Sequence, residues 1–131
     1  MAERPLSPHL SVYRMYRYTV LTSILNRFTG VVLSAGLIVL VYGLMAIAGG
    51  PGTYARALAI LSSGLARCVF LVLLAAFSYH LIAGLRHLVW DTGRALERTQ
   101  SQRSAWLVGI ASLVLFAVLA WCLWAGAGGR P

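Results

Sequence analysis

Of the chain's 131 residues, 60% are hydrophobic, and three acidic residues stand against eleven basic ones, all arginine, for a formal charge of +8. A mean hydropathy of +0.79 excludes an ordinary soluble domain. The arginines are separated by apolar runs instead of gathering on one soluble face, so their charge reports membrane topology and no nucleic-acid partner is expected.

Residues 1–18, MAERPLSPHLSVYRMYRY, hold Pro5 and Pro8, which disfavour a continuous helix. Leu6, Leu10 and Val12 would prefer burial, and Tyr13, Tyr16 and Tyr18 suit the interface belt. The segment therefore predicts an irregular amphipathic arm against the membrane surface or a soluble partner. This polar, proline-containing leader lacks a cleavable signal pattern, so it is expected to stay in the mature protein.

The first helix is expected over residues 19–48, because no charge occurs from residue 28 to 55 and about 20 apolar residues suffice to span a bilayer. Ser23, Arg27, Gly30 and Ser34 recur at i, i+4, i+7 and i+11, a polar and small-residue stripe expected to point into the bundle. The residues leave two roles equally open for Arg27: an interface anchor that snorkels, or a donor that joins Ser23 on a carbonyl oxygen.

Residues 49–53, GGPGT, read as a turn, and a second helix is expected over residues 54–91, membrane-embedded from about residue 65. Arg56 and Arg67 lie in its early part, Arg67 to snorkel or to pair within the bundle. Cys68 here and Cys122 further on stand in separate apolar segments with no CxxC or histidine at ligand spacing, which leaves them packing roles.

The second helix ends in SYHLIAGLRHLVWDTG, residues 78–93, where His80, Gly84, His87 and Asp91 share one face. A histidine within an apolar span is costly in lipid, which favours a functional group facing a cofactor or another helix. The plainer alternative is a core histidine donating to a neighbouring helix's carbonyl. Gly84 leaves a flat recess one turn from His80, which suits a planar macrocycle such as haem. Arg86 and His87 follow roughly 10 Å along the axis, where cationic donors would meet a haem's carboxylates. His80 and His87 project from one side of one helix at different heights and cannot grip both faces of one iron. A second axial ligand must come from elsewhere.

After a polar loop, a third helix is expected over residues 104–126, charge-free from residue 105 to 125, with Trp106 at one end and Trp121 and Trp124 at the other. The placement of arginines puts the N-terminus and the second loop in the cytoplasm. Ser23 with Arg27, and Arg86 with His87 and Asp91, then meet at one membrane face. Asp91 either pairs with an arginine there or passes protons. The expected architecture is all-α and integral to the membrane, one domain over residues 1–131 with three transmembrane helices, a cytoplasmic N-terminus and the preceding arm.

Two motifs carry a resemblance to the large cytochrome b anchor subunits of succinate dehydrogenase, respiratory complex II. One is RPLSPHL, residues 4–10, followed by SILNRFTG, residues 23–30; the other is HLIAGLRHLVWDTG, residues 80–93, which fits the family's H-x3-G-x-R-H-x3-D-x-G pattern throughout. The resemblance covers nearly the whole chain and implies a haem b shared with a second, smaller membrane-anchor subunit. His80 would be this chain's axial ligand to the haem iron, the partner supplying the other histidine, with Arg86 and His87 near the haem propionates. It further implies a ubiquinone pocket at the cytoplasmic interface with Ser23 and Arg27 as donors; quinone reduction also needs protons, from water or from a relay for which Asp91 is the candidate. In this family succinate is oxidised by a flavoprotein subunit, and electrons reach the quinone through an iron-sulfur subunit. This subunit would complete the quinone site and would not oxidise succinate on its own.

The sequence departs from the family's pattern twice. Asn26 stands where histidine usually precedes the quinone-site arginine, and the stretch between the RP motif and Ser23 is one residue longer than usual. Asn26 can hydrogen-bond but carries no charge. Four competing readings stand beside this one. A small multidrug-type transporter needs a membrane-embedded carboxylate, whereas Glu3, Asp91 and Glu97 lie at or outside the interface. A two-haem cytochrome needs four histidines, and the chain has three. A haem-free structural anchor leaves His80 unexplained. The anchor of a quinol:fumarate reductase is the nearest alternative, because the same architecture can run in reverse. With the RP motif at residue 4, no mitochondrial presequence is expected and a bacterial inner membrane is the expected location.

Overall fold

The computed structural model describes residues 17–128, with side chains over residues 20–126. Among them every regular element is a helix: α1 (Arg17–Ala48), α2 (Pro51–Leu61), α3 (Gly64–Asp91) and α4 (Arg98–Gly128). Three of the four, α1, α3 and α4, are long and apolar enough to cross a membrane. At 1.5 Å per residue, the 32 residues of α1 extend for roughly 48 Å. That exceeds the hydrocarbon thickness of about 30 Å, so α1 is tilted or emerges from the bilayer. The arm expected over residues 1–18 lies outside the described residues except for its last two, whose backbone is already helical.

Several helix boundaries differ from the sequence expectation: α1 starts at Arg17 instead of residue 19, α2 at Pro51 instead of residue 54, and α4 ends at Gly128 instead of residue 126. The single helix expected over residues 54–91 is two helices. Ser62 caps the end of α2, and the Ser63 side chain accepts from Ala66 N at 3.3 Å to start α3. Serine satisfies orphan amides where a helix begins, so two serines ahead of Gly64 favour a restart over continuation. The last helix begins at Arg98 instead of residue 104, because the polar run 98–103 continues the helical ladder past the apolar span, and Ser101 N already bonds Glu97 O.

The turn between α1 and α2 uses the residues its backbone demands. Gly50 has φ of +93° between α1 and α2, a conformation costly for a side chain, and Pro51 opens α2. The Thr53 hydroxyl stands 2.9 Å from the Ala46 carbonyl and 2.8 Å from that of Gly50, serving carbonyls at the end of α1.

Helix α3 occupies the middle, packed along both α1 and α4. The buried positions are small: Ala46, Ala57, Ala76, Ala83 and Ala105, with Val108, Ser78 and Ser112. Both buried serines return their hydroxyls to their own helix, Ser78 to Leu74 O at 2.8 Å and Ser112 to Val108 O at 2.6 Å. Large residues such as Phe28, Ile38, Leu65 and Trp124 point outward. This inversion of the soluble pattern suits a bilayer, where small residues let helices approach and lipid solvates the bulky ones. At Gly36 an added Cβ would stand 2.6 Å from Leu73 Cδ2. Gly36→Ala is therefore expected to cost about 1–2 kcal/mol. Thermal unfolding in detergent should show a lowered midpoint that Leu73→Ala partly restores in the double variant; additive losses would speak against direct contact.

Candidate functional site

His80 on α3 faces α1. Its Nδ1 lies 3.1 Å from the Asn26 carbonyl oxygen and 3.3 Å from Thr29 Oγ1. A carbonyl can only accept, so the neutral ring carries its proton on Nδ1 and keeps the Nε2 lone pair free. The plainer reading, a histidine donating to a neighbouring helix's carbonyl, is what the geometry shows, and Nε2 stays clear of that contact. Gly30 admits the ring, since a Cβ there would stand 3.2 Å from His80 Cε1.

His80 also lines an apolar groove of about 980 Å³, walled by Gly30, Ser34 and Gly36 of α1, Phe70 of α3 and Tyr54 of α2. That volume lies at the upper end of cofactor pockets, about 300–1,000 Å³. A Cβ on Gly84, one turn beyond His80, would meet no neighbour within 4 Å. Among the described residues no three histidine, cysteine or carboxylate side chains cluster as metal ligands. His80 thus offers one imidazole beside a large apolar recess, a donor set that fits one axial position of a haem.

Arg86 has a different setting. It is 8% exposed and ties three helices together. Nε donates to Ser104 Oγ at 2.9 Å, Nη1 to Thr22 Oγ1 at 3.0 Å, and Nη2 to Ser101 O at 2.9 Å and Ser101 Oγ at 3.3 Å. The guanidinium lies 4.0 Å from the Trp90 ring centre, a cation–π contact. Trp90 in turn donates through Nε1 to Ala95 O at 3.2 Å, which fastens the loop after α3. His87, half-buried, stands edge-on to Trp90 with centroids 5.2 Å apart. One turn before His80's level on α1, Tyr79 donates its hydroxyl to Thr22 O at 3.1 Å.

The start of α1 and the end of α3 are therefore joined at Thr22, the neighbour of Ser23. Along α1 the flank that touches α3 is Thr22, Asn26 and Thr29, at i, i+4 and i+7. Ser23 is half-buried, Arg27 is exposed, and Ser34 is exposed at the groove wall. The stripe expected to point into the bundle is thus turned partly outward at Arg27, because α3 takes the adjacent flank. Asp91 is exposed at the last residue of α3. Asn26 Oδ1 is buried without a partner among the described residues.

Sequence reasoning missed Thr22, Thr29, Tyr79, Ser101 and Ser104. The available signal was the spacing of Thr22, Asn26 and Thr29, a polar flank inside an apolar helix. Its partners lie 51 to 64 residues away on α3, so no local pattern names them.

Comparison with known proteins gives a consistent result. The Succinate dehydrogenase/Fumarate reductase transmembrane subunit family matches residues 1–119. A succinate dehydrogenase cytochrome b556 subunit of Paracoccus denitrificans is 42% identical over 116 residues, covering 88% of each chain. A cytochrome b560 subunit of Reclinomonas americana is 37% identical over 92% of this chain and 85% of its own length. A cytochrome b556 subunit of Rickettsia typhi is 36% identical over 89% of this chain and 90% of its own.

Proposed function

The chain belongs to the Succinate dehydrogenase/Fumarate reductase transmembrane subunit family, and from that premise we propose that it binds haem b jointly with a partner subunit and helps form the site where ubiquinone is reduced. At the coarser level it is a multi-pass inner-membrane anchor of succinate dehydrogenase, part of an oxidoreductase complex. Its partners in this reading are a second small anchor subunit supplying the other axial histidine, an iron-sulfur subunit and a flavoprotein, with succinate oxidised in the flavoprotein alone. The N-terminus and the loop between α3 and α4 face the cytoplasm, where the iron-sulfur subunit docks, following the distribution of arginines.

The observation that carries the reading is His80: Nδ1 is engaged by α1, Nε2 is left free, and the ring borders the large apolar groove. When bound there, the haem supplies one-electron redox chemistry. His80 would hold the iron, with Gly30 making room for its ring and Gly84 leaving the helix face one turn further on uncrowded. About two turns further along α3, His87 would offer the propionate end a ring N–H and Arg86 beside it a positive charge. Arg86 does so from within its clasp, by field more than by a free donor.

Ser23 and Arg27 lie one turn apart on α1, next to the joint at Thr22. They orient the quinone ring and stabilise negative charge growing on its carbonyl oxygen as electrons arrive. The exposed Arg27 retains the reach to do this, while Asp91 at the end of α3 is placed to hand on protons. A haem-free anchor would leave unexplained an imidazole oriented this way beside such a groove.

Arg27→Ala in the intact complex tests the quinone half of the proposal. Loss of a preorganised donor costs about 10²-fold in favourable sites. Quinone reductase activity is expected to fall by at least tenfold, while succinate oxidation with an artificial acceptor stays at the wild-type level. Wild-type quinone activity in this variant would remove Arg27 from the site.

A further inference from the structure

We infer that Thr29 is a positioning residue for the axial ligand, fixing the orientation of the His80 ring and strengthening its electron donation to the iron; the inference rests on the reading of His80 as that ligand. The Thr29 hydroxyl has one proton and two carbonyls within reach, Leu25 O at 2.8 Å and Asn26 O at 2.9 Å. That proton is committed to its own helix. Toward His80 the hydroxyl oxygen can therefore present only a lone pair, at 3.3 Å from Nδ1. The Asn26 carbonyl presents another at 3.1 Å.

Nδ1–H is consequently shared between two acceptors on α1. Such sharing fixes which nitrogen is free and gives the imidazole partial imidazolate character, which makes Nε2 a stronger donor. One acceptor is backbone and cannot be removed by substitution; the other is the Thr29 side chain. The adjacent Gly30 brings α1 within contact of ring Cε1, so the ring is bounded on the same side that holds its proton. Rotation of the imidazole would break the shared hydrogen bond or press on the helix. Thr29 and Gly30 together form a seat for the ring built from α1 of this chain.

The test uses the complete complex in membranes, with Thr29→Val, Thr29→Ala and Thr29→Ser beside wild type and His80→Ala. The readouts are a redox titration of the b-type absorbance and the line positions of the oxidised haem in electron paramagnetic resonance. A stronger ligand favours the ferric state, so loss of the hydroxyl should raise the midpoint potential in the valine and alanine variants and shift the ferric lines. The serine variant should stay at wild type. If the valine variant does not assemble, the alanine variant carries the same expectation. Wild-type potential and lines in the alanine variant, with His80→Ala clearly altered, would overturn the inference while leaving the ligand assignment in place. An unaltered His80→Ala signal would overturn both.

Discussion

Arg86→Leu is expected to lower the stability of the subunit by about 2–4 kcal/mol and to be among the most damaging single substitutions in the chain. Four hydrogen bonds to Thr22, Ser101 and Ser104 are lost, together with the contact on Trp90. Within bilayer bundles interhelical hydrogen bonds average about 0.6 kcal/mol and reach about 1.7. A guanidinium over an indole adds about 1–2 kcal/mol when desolvated. The substitution also leaves the Thr22 hydroxyl with no arginine to meet at the joint beside Ser23.

Arg86→Lys is expected to recover only part of the loss. An ammonium cannot spread donors over three residues as a planar fork does. Thermal unfolding of the detergent-solubilised complex, with the yield of assembled subunit, measures the effect. Wild-type stability for both variants would show that the clasp contributes little. Because Arg86 reaches Thr22, loss of quinone activity should accompany instability in the leucine variant. Arg27→Ala should separate the two by affecting activity alone.

The membrane spans were legible because the signal is local: long charge-free runs with tryptophans at the ends of the last one. The break between α2 and α3 was harder to see. Residues 54–61 and 64–79 are apolar enough to read as one helix, and only the paired serines at 62 and 63 mark the restart. The early start of α4 was hidden for the opposite reason, since residues 98–103 are too polar to look like part of a span yet continue the same helix.

At the site, His80 was conspicuous as an ionisable group in an apolar run, and its face with Gly84 and His87 followed from helical period. Its seat could not be read in the same way. A threonine in a membrane helix is an ordinary packing residue, and Thr29 acquires a partner only once α1 and α3 dock in a particular register. The same holds for Arg86. Its place near the end of α3 suggested a cationic donor for a cofactor, while its clasp depends on serines of α4 whose helical phase was set by residues outside the expected helix.

His80→Ala is expected to have the largest effect on the cofactor. The imidazole is replaced by a methyl group, and among the described residues no other histidine stands at that height. His87 lies about two turns away on the same helix, roughly 10 Å along the axis. The described residues contain no cluster of three or more metal-ligating side chains. Succinate oxidation with an artificial acceptor should persist, since in the proposed function that chemistry belongs to the soluble partners. The α1 seat of Asn26 and Thr29 would lose the group it holds, so the helices can remain packed while the ligand is gone.

The most direct measurement is the reduced-minus-oxidised optical spectrum of membranes containing the complete co-expressed complex, wild type against His80→Ala. A b-type signal in the wild type that is lost or shifted in the variant is the predicted result. The same b-type signal in both, or none in the wild type, would contradict the assignment of His80 as an axial ligand of haem.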